Sequence, residues 1–142
     1  RASMPNPVRS IAVVDDDAEV RLALARLVAA AGFETEAHAG GAELLRSIGE
    51  RRPDCVVLDL QMPGTTGFDV LAALAERGLD VPVIAITGYD SAAARSRALG
   101  LGARAYLCKP FDDDTLLAAI AGAMRGLVRT RDEGGNEDEQ DA

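Results

Sequence analysis

The side chains that offer chemistry in this sequence stand at the ends of β-rich apolar runs. Ile11–Val14 stops at Asp15-Asp16-Asp17, Cys55–Leu58 at Asp59, Val81–Ile86 at Thr87-Gly88, and Ala103–Cys108 at Lys109-Pro110. Three carboxylates brought to close range repel one another and raise at least one pKa unless a cation neutralises them. An all-oxygen acidic donor set suits a hard divalent ion, and a shallow site with room for water suits Mg²⁺. Acids at Asp15–Asp17 would also favour the N-terminal dipole of a following helix. Asp17 is therefore assigned to capping, and Asp16 with Asp59 to metal binding. Lys109 is the only lysine beside fourteen arginines, and its compact ammonium can pair with a carboxylate or phosphoryl oxygen. The Thr87 hydroxyl can donate to such an oxygen, with Gly88 leaving space for the group. Pro110 fits a cis bond that would fix the loop beside Lys109.

These side chains meet only if the runs are neighbouring strands. Ile11–Val14, Cys55–Leu58 and Val81–Ile86 are continuous apolar runs, as parallel strands buried on both faces should be. Phe33–Ala37 alternates, predicting a strand with one exposed face, and Ala103–Cys108 supplies a fifth strand. Between them, Val20, Ala23, Leu24, Leu27, Val28 and Ala31 repeat at helical spacing, with Gly32 as the stop. Ala42–Ile48, Phe68–Glu76, Ser91–Leu99 and Thr115–Val128 read as four further helices, the one over Ser91–Leu99 poorly amphipathic. Strands alternating with helices predict a parallel α/β sheet covered on both faces. At this length the common solutions are a five-stranded flavodoxin-like sheet or half of a larger Rossmann fold, and the expected fold is the first, a flavodoxin-like (βα)5 three-layer sandwich with strand order 2-1-3-4-5. In that order the reversal lies between the first and third strands, where Asp15, Asp16 and Asp59 converge.

Composition narrows the function further. The 142 residues include 26 alanines, no tryptophan and five other aromatics, so a base-stacking platform is not expected. The net charge of −8 has the wrong sign for a phosphate backbone, and six of the acids lie in Asp132–Ala142. The body is then only −2, and neither nucleic-acid binding nor a membrane-spanning segment is expected. Cys55 and Cys108 lack any zinc spacing and read as buried, reduced thiols of a cytoplasmic protein. The sole histidine, His38, falls just past the second strand and reads as a surface residue and not a phosphocarrier.

From Val8 to about Val128 the chain resembles a response-regulator receiver domain of bacterial two-component systems. The resemblance is carried by Val13-Val14-Asp15-Asp16, by Val57-Leu58-Asp59 with Met62-Pro63-Gly64 and Gly67, and by Ala85-Ile86-Thr87-Gly88. Gly102-Ala103 through Tyr106 to Lys109-Pro110-Phe111 completes it. It implies a phosphorylation switch in a signalling domain that is not an enzyme beyond its own phosphorylation and dephosphorylation. Asp59 would accept the phosphoryl group from a sensor histidine kinase or histidine phosphotransfer protein. Asp16, Asp59 and the backbone carbonyl of Gln61 would ligate Mg²⁺, with Asp15 acting through a water. Lys109 and the metal would stabilise the phosphoryl oxygens during in-line transfer. Thr87 would then move toward the new group and Tyr106 turn inward behind it, changing the face formed by the fourth helix, fifth strand and fifth helix. That face would meet the output partner or a missing effector domain, and is compatible with a homodimer. Gln61 and Tyr89 occupy positions that tune phosphoryl lifetime in the family.

Three other readings compete. A haloacid-dehalogenase-type phosphatase wants an acid where Gln61 stands, and a flavodoxin wants a phosphate loop where Asp15–Asp17 would repel phosphate. A binding-only receiver, signalling by docking without phosphorylation, is the serious alternative. At the ends, Arg1-Ala2-Ser3 ahead of Met4 reads as a cloning remnant within an N-terminal extension (1–7). Residues 129–142 read as an acidic disordered tail or truncated linker.

Overall fold

The computed structural model describes residues 8–133, with side chains through 125. The strands are β1 (Ser10–Val14), β2 (Glu34–His38), β3 (Cys55–Asp59), β4 (Val83–Thr87) and β5 (Ala105–Cys108). The helices are α1 (Ala18–Ala30), α2 (Gly41–Glu50), α3 (Gly67–Glu76), α4 (Ala92–Gly100) and α5 (Asp113–Glu133). All pairings are parallel, as the alternation of elements predicts, and the sheet order is β2-β1-β3-β4-β5, that of the expected flavodoxin-like fold.

The continuous apolar runs are the three central strands, and each divides its side chains between two cores. Ala12, Val14, Val56, Leu58, Val83 and Ala85 face Leu44 and Ile48 of α2 and Val70, Leu71 and Leu74 of α3. Ile11, Val13, Val57, Ile84 and Ile86 face Leu24 and Val28 of α1 and Leu116 and Ile120 of α5. Strand periodicity of two therefore generates the three layers, with α2, α3 and α4 on one side and α1 and α5 on the other. Helix α4 buries only Ala98, which accounts for its weak amphipathic pattern.

Helix starts follow local chemistry. Asp17 caps α1, its Oδ1 accepting the N–H groups of Glu19 and Val20 at 3.0 and 3.2 Å. Thr66 and Asp69 form a reciprocal capping box at α3. Among the described residues no helix is long and apolar enough to cross a membrane.

The structure departs from the sequence reading at several points. His38 is the last residue of β2 and not past it, and its half-buried ring meets Glu36 Oε1 at 2.9 Å instead of standing on the surface. Cys55 is buried as expected, but Cys108, the last residue of edge strand β5, is exposed. Helix α5 runs to Glu133, past the expected end at Val128 and into the segment expected to be disordered. The rest of that acidic segment, 134–142, and the N-terminal extension, 1–7, lie outside the described residues.

Candidate functional site

The carboxyl ends of β1, β3, β4 and β5 open into one cleft of about 490 Å³, lined among others by Asp15, Asp16, Asp59, Gln61, Tyr89 and Lys109. Register explains the convergence. Val14 of β1 pairs with Leu58 of β3, so Asp15 and Asp59 leave neighbouring strands at the same level. Asp59 in turn pairs with Ile86, directly before Thr87, and Thr87 pairs with Cys108, directly before Lys109.

The acids are unequal. Asp15 is fully buried, Asp59 is 3% exposed, and Asp16 is exposed to solvent. One carboxylate oxygen from each lies within 4.8 Å of the others. Asp15 Oδ1 accepts the Asp17 N–H at 2.9 Å, and its Oδ2 accepts from Lys109 Nζ at 3.2 Å. The Asp15 carbonyl accepts from Arg21 Nη1 at 2.8 Å. Asp59 Oδ1 accepts the Gln61 N–H at 3.2 Å and lies 3.8 Å from Lys109 Nζ. Burial, reinforced by the Asp15 charge and less by Asp16, pushes the Asp59 carboxyl up to about 6 from its ordinary 3.8, against the pull of Lys109 and the Gln61 N–H. One ammonium among three carboxylates leaves the cluster short of positive charge. Its donors are all oxygen, the set a hard divalent cation prefers, so the residues fit Mg²⁺.

Thr87, at the end of β4, is fully buried, donating its hydroxyl to Gln61 Oε1 and accepting the Tyr89 N–H at 2.9 Å. Tyr89 itself is an exposed side chain at the rim. The Lys109–Pro110 peptide is cis, the geometry the sequence suggested. Tyr106 already lies inside, 8% exposed, its hydroxyl donating to Asp90 Oδ1 at 3.0 Å with Arg95 over its ring. Tyr106 is thus already inward, where the sequence reading has it turn inward only after phosphorylation. Arg21, Asp90 and Arg95 were not singled out in the sequence, where nothing in their spacing ties them to the strand ends.

Backbone fit at the cleft depends on Gly67, the first residue of α3. A Cβ there would lie 2.6 Å from the Asp59 carbonyl oxygen and 2.7 Å from Leu60 Cα, both backbone atoms that cannot swing aside. Gly67→Ala is therefore expected to cost about 1–3 kcal/mol, as overpacking does, readable as a lower urea midpoint with unchanged slope. An unchanged midpoint would show that the loop from Leu60 to Thr66 yields freely.

A family model described as response regulator receiver domain matches residues 11–121. The chain is 43% identical over 133 residues to the response regulator MprA of Mycolicibacterium vanbaalenii, across 92% of this chain and 55% of that protein. It spans about half the length of the curated relatives it matches. Among solved structures, a response regulator receiver protein from Burkholderia phymatum is 43% identical with a TM-score of 0.73, covering 82% of this chain and 94% of that one. The Vibrio cholerae chemotaxis protein CheY4 is 28% identical with a TM-score of 0.78, covering 82% of this chain and 99% of that one.

Proposed function

The chain belongs to the response regulator receiver family, and from that premise we propose that it is a phosphorylation-dependent switch with Asp59 as phosphoacceptor. Receiver domains are signalling domains and not metabolic enzymes; its own phosphorylation and dephosphorylation are the reactions we ascribe to this chain. One observation carries the reading: a buried carboxylate, Asp59, lies 3.8 Å from the ammonium of the chain's single lysine in a cleft also lined by Asp15, Asp16 and Asp17.

In the proposed transfer an Asp59 carboxylate oxygen forms the new bond to phosphorus. The bond from phosphorus to the donor's imidazole nitrogen breaks as it does so, and the imidazole keeps the electron pair. The Lys109 ammonium offsets charge on the phosphoryl oxygens, and the Thr87 hydroxyl donates to one of them. Asp15, Asp16, Asp59 and the Gln61 backbone carbonyl would hold Mg²⁺, which when bound supplies further positive charge to the phosphoryl group. Tyr106 would keep its inward position behind Thr87.

The donor we assign is a sensor histidine kinase or a histidine phosphotransfer protein. The readout would pass through α4, β5 and α5 to an output partner, an effector domain or a second copy of the chain. The receiver unit of a cytoplasmic protein, expected over 8–128, would extend with α5 to Glu133, leaving 134–142 as tail or linker.

Thermal melting tests the site. Mg²⁺ at ten times its Kd is expected to stabilise the fold by about 1.4 kcal/mol, a rise of a few degrees in Tm. Beryllofluoride, a phosphoryl mimic, should raise Tm further in the wild type and not in Asp59→Asn. A Tm indifferent to both would contradict the proposal and favour docking without phosphorylation.

A further inference from the structure

Thr87 ends β4 fully buried, and its hydroxyl has a single proton to give. That proton is already committed to Gln61 Oε1, while the same oxygen accepts the Tyr89 N–H. A phosphoryl group on Asp59 would need it too. Gln61 is two residues from Asp59 and tied to it by the bond from its own N–H, so the two acceptors compete from one short loop.

We infer that the Gln61 side chain is a latch on Thr87: its amide oxygen holds the Thr87 hydroxyl until a phosphoryl group on Asp59 takes the proton, and this competition lowers affinity for that group. The inference rests on the phosphoacceptor reading of Asp59. Gln61 acts through Thr87 and is a positioning residue.

The geometry gives the latch both a holding state and a release path. Gln61 lines the acidic cleft and also a neighbouring groove of about 680 Å³ walled by Met62, Phe68 and Arg97. A released amide can swing into that groove and exchange its bond to Thr87 for bonds to water. A hydrogen bond to an ionised phosphoryl oxygen is roughly twice as strong as one to a neutral amide. The proton therefore goes to the phosphoryl group when one is present and returns to Gln61 when it leaves. Side-chain length matters: asparagine keeps the amide but is one methylene short, and methionine keeps the length but has no amide oxygen.

The test is a ¹⁹F NMR titration of the full chain with beryllofluoride in saturating Mg²⁺. Gln61→Met and Gln61→Asn are each expected to bind about fivefold more tightly than the wild type, the equivalent of one neutral hydrogen bond. In a Thr87→Val background the same Gln61→Met change should leave affinity unaltered, because the competition is gone. Two folded Gln61 variants with wild-type affinity would overturn the latch, as would a Gln61→Met effect that persists undiminished beside Thr87→Val. A wild-type chain that binds no beryllofluoride would overturn the phosphoacceptor reading, and the latch with it.

Discussion

Asp59→Asn is expected to take up no phosphoryl group and, without Mg²⁺ near neutral pH, to be more stable than the wild type by about 2 kcal/mol. The gain comes from removing a charge that folding must bury beside Asp15. In the unfolded chain the carboxyl titrates near its ordinary 3.8, and in the folded chain at about 6. Between those values the native state holds more protons, so wild-type stability falls as pH rises through the window. Above about pH 6 the whole cost is present, and near pH 4 it has gone. The full shift corresponds to about 3 kcal/mol, and water in the open cleft screens part of it. Urea denaturation of both proteins from pH 4 to 8 should therefore show curves that coincide in acid and diverge toward neutrality. Saturating Mg²⁺ should close the gap by neutralising Asp59 in the wild type. An Asn variant that is less stable at every pH would make Asp59 chiefly a structural residue.

Lys109→Met is expected to slow phosphoryl uptake about 10²–10³-fold, the usual loss when a donor aimed at developing charge is removed. Lys109 is also the cation that reaches both buried acids, at 3.2 Å from Asp15 and 3.8 Å from Asp59. Its loss should destabilise the metal-free fold by about 2 kcal/mol and raise the Asp59 carboxyl further. Lys109→Arg separates these roles. A guanidinium restores the charge and most of the stability, but its planar, longer fork does not reproduce a compact ammonium, so the rate should stay low. Rates from a small acyl-phosphate donor, measured beside urea midpoints for the three proteins, check both statements. A Met variant with wild-type uptake would remove Lys109 from the transfer step.

The strand ends were legible because each carries a change of residue type: an apolar run gives way abruptly to acid, threonine-glycine or lysine-proline. Sheet order then followed from the alternation together with the flavodoxin-like fold expected at this length, and register did the rest, since Val14–Leu58 and Thr87–Cys108 pairings bring those ends level. What could not be read was how the edges are covered. The alternation of Phe33–Ala37 suggests an exposed face, yet Ser47 of α2 reaches over β2 to Glu36, whose carboxylate also meets His38. Cys108 fails in the opposite direction, an apolar residue left exposed at the last position of edge strand β5. Side-chain contacts across loops were equally hidden. No pattern in the sequence ties Gln61 to Thr87, Arg21 to the Asp15 carbonyl, or Asp90 to Tyr106, because each depends on loop geometry that residue type alone does not determine.

The most direct measurement is intact-protein mass spectrometry after incubation with a small acyl-phosphate donor, with and without Mg²⁺ and with Asp59→Asn as control. The proposal predicts a single phosphoryl adduct that requires both Mg²⁺ and Asp59. A folded wild-type chain that acquires no adduct, or an adduct undiminished in Asp59→Asn, would contradict it.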